Sequence, residues 1–114
     1  MMRLTLLAVL AMPIPVLAHA LLERASPPVG SELAEPPRQL TLTFTESVEP
    51  LFSTVELRTA SGAGLPIGKP HVAADNRQLL ADLPVLKAGE YTVVWHVTSV
   101  DTHKTEGSFR FTVR

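Results

Sequence analysis

Asp101 and His103 lie two residues apart near the end of the chain, and both have side chains that commonly bind metal ions. In an extended segment, residues two apart point to the same face, with Cα atoms roughly 6.5–7 Å apart. Both side chains could then reach one ion, and carboxylate with imidazole is a suitable ligand pair for Cu(II) or Zn(II). The Asp-x-His pattern alone is a weak indication of a metal, because most such pairs are polar loop residues.

A third candidate ligand, His19, stands at the end of a pattern typical of an export signal. Arg3 and the short apolar run of residues 4–11 are followed by small or apolar residues up to Ala18. The apolar run is shorter than the roughly 20 residues that span a bilayer. The sequence therefore predicts a signal peptide at residues 1–18, in preference to a buried helix or an uncleaved anchor.

Cleavage after Ala18 would make His19 the first residue of the mature chain, residues 19–114. A free terminal amine and the imidazole of the same residue can chelate one metal ion. Together with Asp101 and His103 this gives three nitrogens and one oxygen, which suits the tetragonal geometry of Cu(II). The local pattern leaves an alternative open, because Ala18-His19-Ala20 is itself an A-x-A pattern and cleavage after Ala20 would remove His19.

The amino-acid composition limits which metal ions and which classes of partner the chain could bind. The chain has 10 Lys+Arg and 11 Asp+Glu, with no Cys and only three Met. All three Met precede residue 19, so a site in the mature chain must use nitrogen and oxygen rather than the sulfur ligands that favour Cu(I). The absence of a basic patch disfavours binding to nucleic acid or to anionic lipid. No later stretch is long enough to insert into a membrane, and we expect a monomer.

Hydrophobic alternation predicts a single all-β domain. Apolar residues recur with a period of two in five runs, and Pro- and Gly-rich turns separate them. About seven short strands in fewer than 100 residues indicate a Greek-key β-sandwich or barrel. The runs are centred on residues 40–45, 54–58, 79–83, 91–98 and 108–113.

Three segments resemble the CopC family of periplasmic copper-binding proteins. The first is His19-Ala20 followed by a strand and by Ser26-Pro27-Pro28-Val29-Gly30. The second is the strand L-T-L-T-F-T-E-S-V-E of residues 40–49. The third and most specific is G-E-Y-T-V-V-W-H-V-T-S-V-D-T-H-K-T-E-G-S-F-R-F, residues 89–111. Their order and spacing are similar to the family's over essentially the whole mature chain.

The resemblance implies an immunoglobulin-like Greek-key barrel of seven strands that binds one Cu(II). The ligands it implies are His19, Asp101 and His103, which favours cleavage after Ala18. It also places Glu46 near the metal, as a weak axial ligand or as a residue beside the ligands. The implied function is a periplasmic copper carrier or buffer in copper homeostasis and resistance, which could pass copper to an inner-membrane importer or another copper protein.

The chain departs from the family pattern at two places. Residues 61–71 contain no Met, so the Cu(I) site of some members is not expected, and His71 is interpreted as an exposed loop residue. Thr102 stands where the motif has Gly, which predicts a less tightly turned loop because Gly adopts positive φ readily. His96 is interpreted as a surface residue and Trp95 as part of the core.

Two other classes of protein fit parts of the pattern. A terminal His with a second His is also the copper brace of lytic polysaccharide monooxygenases, but a nearby Asp ligand and a scarcity of aromatic residues argue against that enzyme. A metal-free adhesive sandwich is the other alternative. No acid–base pair or nucleophile triad is evident, so the sequence predicts a binding protein rather than an enzyme.

Overall fold

The protein forms two β-sheets that face each other, in a computed structural model that describes residues 20–114. The predicted signal peptide and His19 lie outside the described residues. One sheet has the order β1-β3-β7-β6 and the other β2-β9-β8-β4-β5. The strands are β1 (Leu22–Ser26), β2 (Glu32–Leu33), β3 (Gln39–Phe44), β4 (Thr54–Thr59), β5 (Gly64–Leu65), β6 (His71–Ala73), β7 (Gln78–Asp82), β8 (Gly89–Thr98) and β9 (Lys104–Val113).

The core lies between the sheets and is built from the alternating residues of the long strands. Strand β3 contributes Leu40, Leu42 and Phe44, each at most 1% exposed. Burial of side chains of this size stabilises the fold by roughly 1.5–3 kcal/mol each. Strand β8 adds Trp95, whose ring packs edge-on against Phe44 with centroids 5.2 Å apart. The interpretation of Trp95 as a core residue is therefore confirmed.

The hairpin of β8 and β9 is the longest element of the fold and carries the Asp-x-His motif at its turn. Ten antiparallel pairs run without interruption from Gly89–Val113 to Thr98–Lys104. Opposite Trp95 stands Gly107, where an added Cβ would lie 2.5 Å from Cζ2 of the indole. Because Gly107 has no side chain, the Trp95 ring can lie across β9 at this pair.

The all-β prediction is confirmed, and the five strongly alternating runs correspond to β3, β4, β7, β8 and β9. The described residues form nine strands instead of about seven, and two of these, β2 and β5, contain only two residues each. His71 begins the edge strand β6 rather than lying in a loop, although its side chain is exposed as predicted. A 3-10 turn, Pro50–Phe52, precedes β4. Within residues 20–114 no helix is long and apolar enough to cross a membrane.

Candidate metal centre

The Asp-x-His motif lies in the tight turn between β8 and β9. The Ser99 N–H donates to the His103 carbonyl at 2.8 Å, and the Thr102 N–H donates to the Ser99 carbonyl at 2.9 Å. Thr102 adopts a positive φ of 74°, as the last residue of a three-residue hairpin loop commonly does. The expectation of an extended segment was therefore wrong. So was the expectation of a looser loop, because Thr102 takes the conformation that usually belongs to Gly.

The turn nevertheless brings the two candidate ligands together. Nδ1 of His103 lies 3.0 Å from Oδ2 of Asp101. The side chains are 47% and 35% exposed, so both are open to solvent at this end of the sandwich. Two ligands at right angles, each about 2.0–2.1 Å from a first-row metal ion, stand about 2.9 Å apart. The observed separation therefore matches adjacent positions around one ion.

Hydrogen bonds from Ser99 and His103 fix the charge of the Asp101 carboxylate. The buried Ser99 hydroxyl donates to Oδ1 of Asp101. The His103 backbone N–H approaches the same oxygen at 3.4 Å. The Ser99 hydroxyl is the main cause that lowers the pKa of Asp101, and the His103 contacts add to this effect, while desolvation opposes it. The carboxylate is thus held ionised and ready to bind a cation.

The segment before the 3-10 turn supports the loop from one side. Ser99 forms an isolated bridge with Val48, and the Val100 N–H donates to the Ser47 carbonyl at 3.1 Å. Glu46 immediately precedes Ser47, and its side chain is exposed. The structure therefore brings the backbone beside Glu46 to the Asp101 loop. Within residues 20–114, no three His, Asp or Glu side chains gather closely enough to hold a metal ion.

The first described residues are held at the same end of the molecule. Ala20 is fully buried, and its carbonyl accepts a hydrogen bond of 2.6 Å from the Thr105 hydroxyl. The Leu21 N–H donates to the Thr45 hydroxyl at 3.0 Å, and the Thr45 N–H donates back to the Leu21 carbonyl at 2.9 Å. Ala20 is thus fixed beside a residue two positions after His103. Neither anchoring threonine was identified from the sequence, where both appear as ordinary strand residues.

The two other described histidines lie away from this loop. His96 projects from the outer face of the five-stranded sheet, as predicted, and its Nε2 lies 2.8 Å from Oε2 of Glu106. His71 pairs with Leu80 at the edge of the other sheet. The structure therefore brings Asp101 and His103 together and leaves His71 apart from them.

Comparison with known proteins identifies the family to which the chain belongs. The sequence model of the CopC domain matches residues 22–114. The chain belongs to the CopC family. It is 34% identical to the copper resistance protein C of Xanthomonas campestris pv. juglandis, over 78% of this chain and 76% of that protein. It is also 37% identical to protein YobA of Escherichia coli K12, over 87% of this chain and 82% of the relative.

A solved structure agrees with the sequence relatives. The crystal structure of CopC from Methylosinus trichosporium OB3b superposes with a TM-score of 0.78 at 34% identity. The match covers 83% of this chain and 93% of that one. The family resemblance and the sandwich fold are both confirmed, and membership in this family indicates a copper-related function.

Proposed function

We propose that this CopC-family protein binds one Cu(II) ion through His19, Asp101 and His103 and serves as a periplasmic copper carrier or buffer. The observation that carries the proposal is the separation of 3.0 Å between Nδ1 of His103 and Oδ2 of Asp101 on a tight hairpin turn. Long strands hold that turn, so little conformational freedom is lost when the ion binds. The family relationship supports copper as the metal.

The position of Ala20 supports His19 as the third residue of the site. Ala20 is held against Thr105 by a hydrogen bond of 2.6 Å. Because His19 directly precedes Ala20 in the sequence, this anchor supports a role for His19 in the site. Signal cleavage after Ala18 would give this residue a free amine, and the amine and imidazole of His19 would complete a set of three nitrogens and one oxygen.

The ligand types favour Cu(II) over Cu(I). Residues 19–114 contain neither Cys nor Met, so no soft sulfur ligand is available in the mature chain. Imidazole, amine and carboxylate suit Cu(II), which also has the highest affinity among the divalent first-row ions. Glu46 is the candidate axial ligand, since its neighbour Ser47 accepts a hydrogen bond from the Asp101 loop.

Ion capture would proceed without chemical turnover. Asp101 offers a carboxylate that is ionised at neutral pH, and the Ser99 hydroxyl donates a hydrogen bond to it. His103 must present an unprotonated nitrogen, and the His19 amine must lose its proton, so binding releases protons. The partly exposed ligands would let the exported monomer give copper to an inner-membrane importer or to another copper protein.

The proposal is tested by titrating the metal-free chain of residues 19–114 with Cu(II) in a calorimeter. We expect one tight equivalent, which His103→Ala and Asp101→Ala each weaken by about tenfold or more. His71→Ala is the matched control, because this exposed histidine lies on the edge of the other sheet. Equal losses from all three variants, or no tight equivalent in the unaltered chain, would refute the assigned site.

A further inference from the structure

A second pair of metal-ligating side chains lies on the outer face of the β8–β9 hairpin. His96 and Glu106 are directly opposite each other in the ladder. Nε2 of His96 lies 2.8 Å from Oε2 of Glu106, and the side chains are 53% and 73% exposed. This pair has the same chemistry as His103 and Asp101, but it stands on regular strands instead of a turn.

The distance between the two atoms is compatible with a metal ion bound by both of them, as well as with a proton shared between them. Two ligands at right angles with bonds of about 2.0–2.1 Å are about 2.9 Å apart, whereas tetrahedral ligands stand about 3.3–3.4 Å apart. The observed 2.8 Å is also an ordinary hydrogen-bond length, so it shows that the two side chains converge, and the preference for Cu(II) rests on its place in the affinity order. Because the site supplies two ligands, water would fill the remaining positions and the affinity would be modest.

The surroundings leave room for the ion and its water. The pair borders an open cavity of about 510 Å³, which is also lined by Phe52, Thr54 and Thr98. Lys104 lines the cavity too and is the cation that would oppose metal binding. Within residues 20–114, no Arg or Lys forms an ion pair with Glu106, whereas Glu56 and Glu90 pair with arginines. Glu106 is thus the available carboxylate on this face.

We propose that His96 and Glu106 form a second, weaker site for a divalent transition-metal ion, with Cu(II) the preferred ion. The site lies two ladder positions from the Thr98–Lys104 pair that closes the loop, or roughly 7 Å along the strands. It is separate from the proposed Asp101–His103 site and does not depend on it. At high copper concentrations the chain would therefore take up a second ion on the sheet face.

The experiment uses the chain of residues 19–114 in a His103→Ala background, so that failure of the first site cannot hide the second. Diamagnetic Zn(II) is titrated from zero and followed by chemical-shift changes of the imidazole resonances in NMR spectra, because paramagnetic Cu(II) in the nearby loop would broaden His96 without binding to it. We expect the His96 resonances to shift at lower Zn(II) than those of His71, which serves as an internal control in the same spectrum. Glu106→Gln should raise the Zn(II) concentration needed for this shift by about tenfold.

Calorimetry with Cu(II), in the chain of residues 19–114 with His103 intact, gives an independent measure. The second equivalent should weaken in His96→Ala and in Glu106→Gln, while Glu90→Gln, a carboxylate farther along the same sheet, should leave it unchanged. Equal Zn(II)-induced shifts of His96 and His71, or a second equivalent that survives both substitutions, would overturn the proposal. Loss of the first equivalent alone would contradict the site proposed at His19, Asp101 and His103, and would leave the His96–Glu106 site standing.

Discussion

Ser99 is the residue that most lowers the pKa of Asp101. Its hydroxyl donates to the carboxylate and lowers the Asp101 pKa. We expect Ser99→Ala to raise that pKa toward its ordinary value, as measured by NMR titration of the Asp101 side-chain carboxyl. A carboxyl with a lowered pKa stabilises the fold above its unfolded-state value of about 4, and this contribution is lost as pH falls through the lowered pKa. The variant should therefore lack this contribution above about pH 4, and it should lose less stability than the unaltered protein as pH falls through the lowered pKa.

An unchanged Asp101 titration in Ser99→Ala would contradict this account. Ser47→Ala is a suitable control, because the Ser47 hydroxyl donates to the Asp75 carbonyl and not to a carboxylate. It should leave the titration of Asp101 as it is in the unaltered protein.

Thr102 is a β-branched residue in a left-handed conformation, with φ of 74°. This conformation costs an ordinary residue roughly 1–2 kcal/mol, and Gly avoids that cost while losing about 0.5–1 kcal/mol in chain entropy. We therefore expect Thr102→Gly to increase the free energy of unfolding by about 0.5–1 kcal/mol, measured by denaturant titration. Thr102→Ala keeps the penalty of a Cβ and should change stability little, so a Gly variant less stable than the Ala variant would contradict the argument.

The pairing of Asp101 with His103 could be predicted from their spacing in the sequence, although an extended segment is not what brings them together. The side chains meet across a hairpin turn. Ser99, which lowers the pKa of Asp101, carried no signal of that role, because its effect depends on the three-dimensional path of the loop. The Thr105 and Thr45 anchors of residues 20–21 likewise depend on contacts between distant parts of the chain.

The β8–β9 hairpin depends on the close approach of Gly107 to Trp95. An added Cβ at Gly107 would lie 2.5 Å from the indole, so the ring or the strand must move. We expect Gly107→Ala to reduce the free energy of unfolding by about 1–3 kcal/mol through overpacking. Gly64→Ala in β5 is the matched control, because an added Cβ there meets nothing within 4 Å. Similar losses in the two variants would mean that contact with Trp95 is not the cause.

The long strands were predictable because each buries alternate residues over five or more positions. Leu40, Leu42 and Phe44 illustrate this pattern in β3, where all three face the core. Strands β2 and β5 gave no such signal, since two residues cannot display a period of two. Strand β6 was missed because it lies at a sheet edge, with His71 exposed and Val72 only partly buried.

For the molecule as a whole, protons should compete with copper. Imidazole and terminal-amine nitrogens must be unprotonated to bind, with reference pKa values of about 6.5 and 7.7–8. We therefore expect Cu(II) affinity to fall steadily from about pH 8 to pH 5, as measured by competition with a chelator of known pH dependence. Affinity that stays constant over this range would contradict nitrogen ligation.

In the proposed function, His19 begins the mature chain and binds copper with Asp101 and His103. Native mass spectrometry of the exported protein, expressed from the full sequence with copper supplied, reports the cleavage point and the metal content together. We expect the mass of residues 19–114 with one copper ion retained at low copper. A chain that begins at Leu21, or one that begins at His19 but retains no copper, would contradict it.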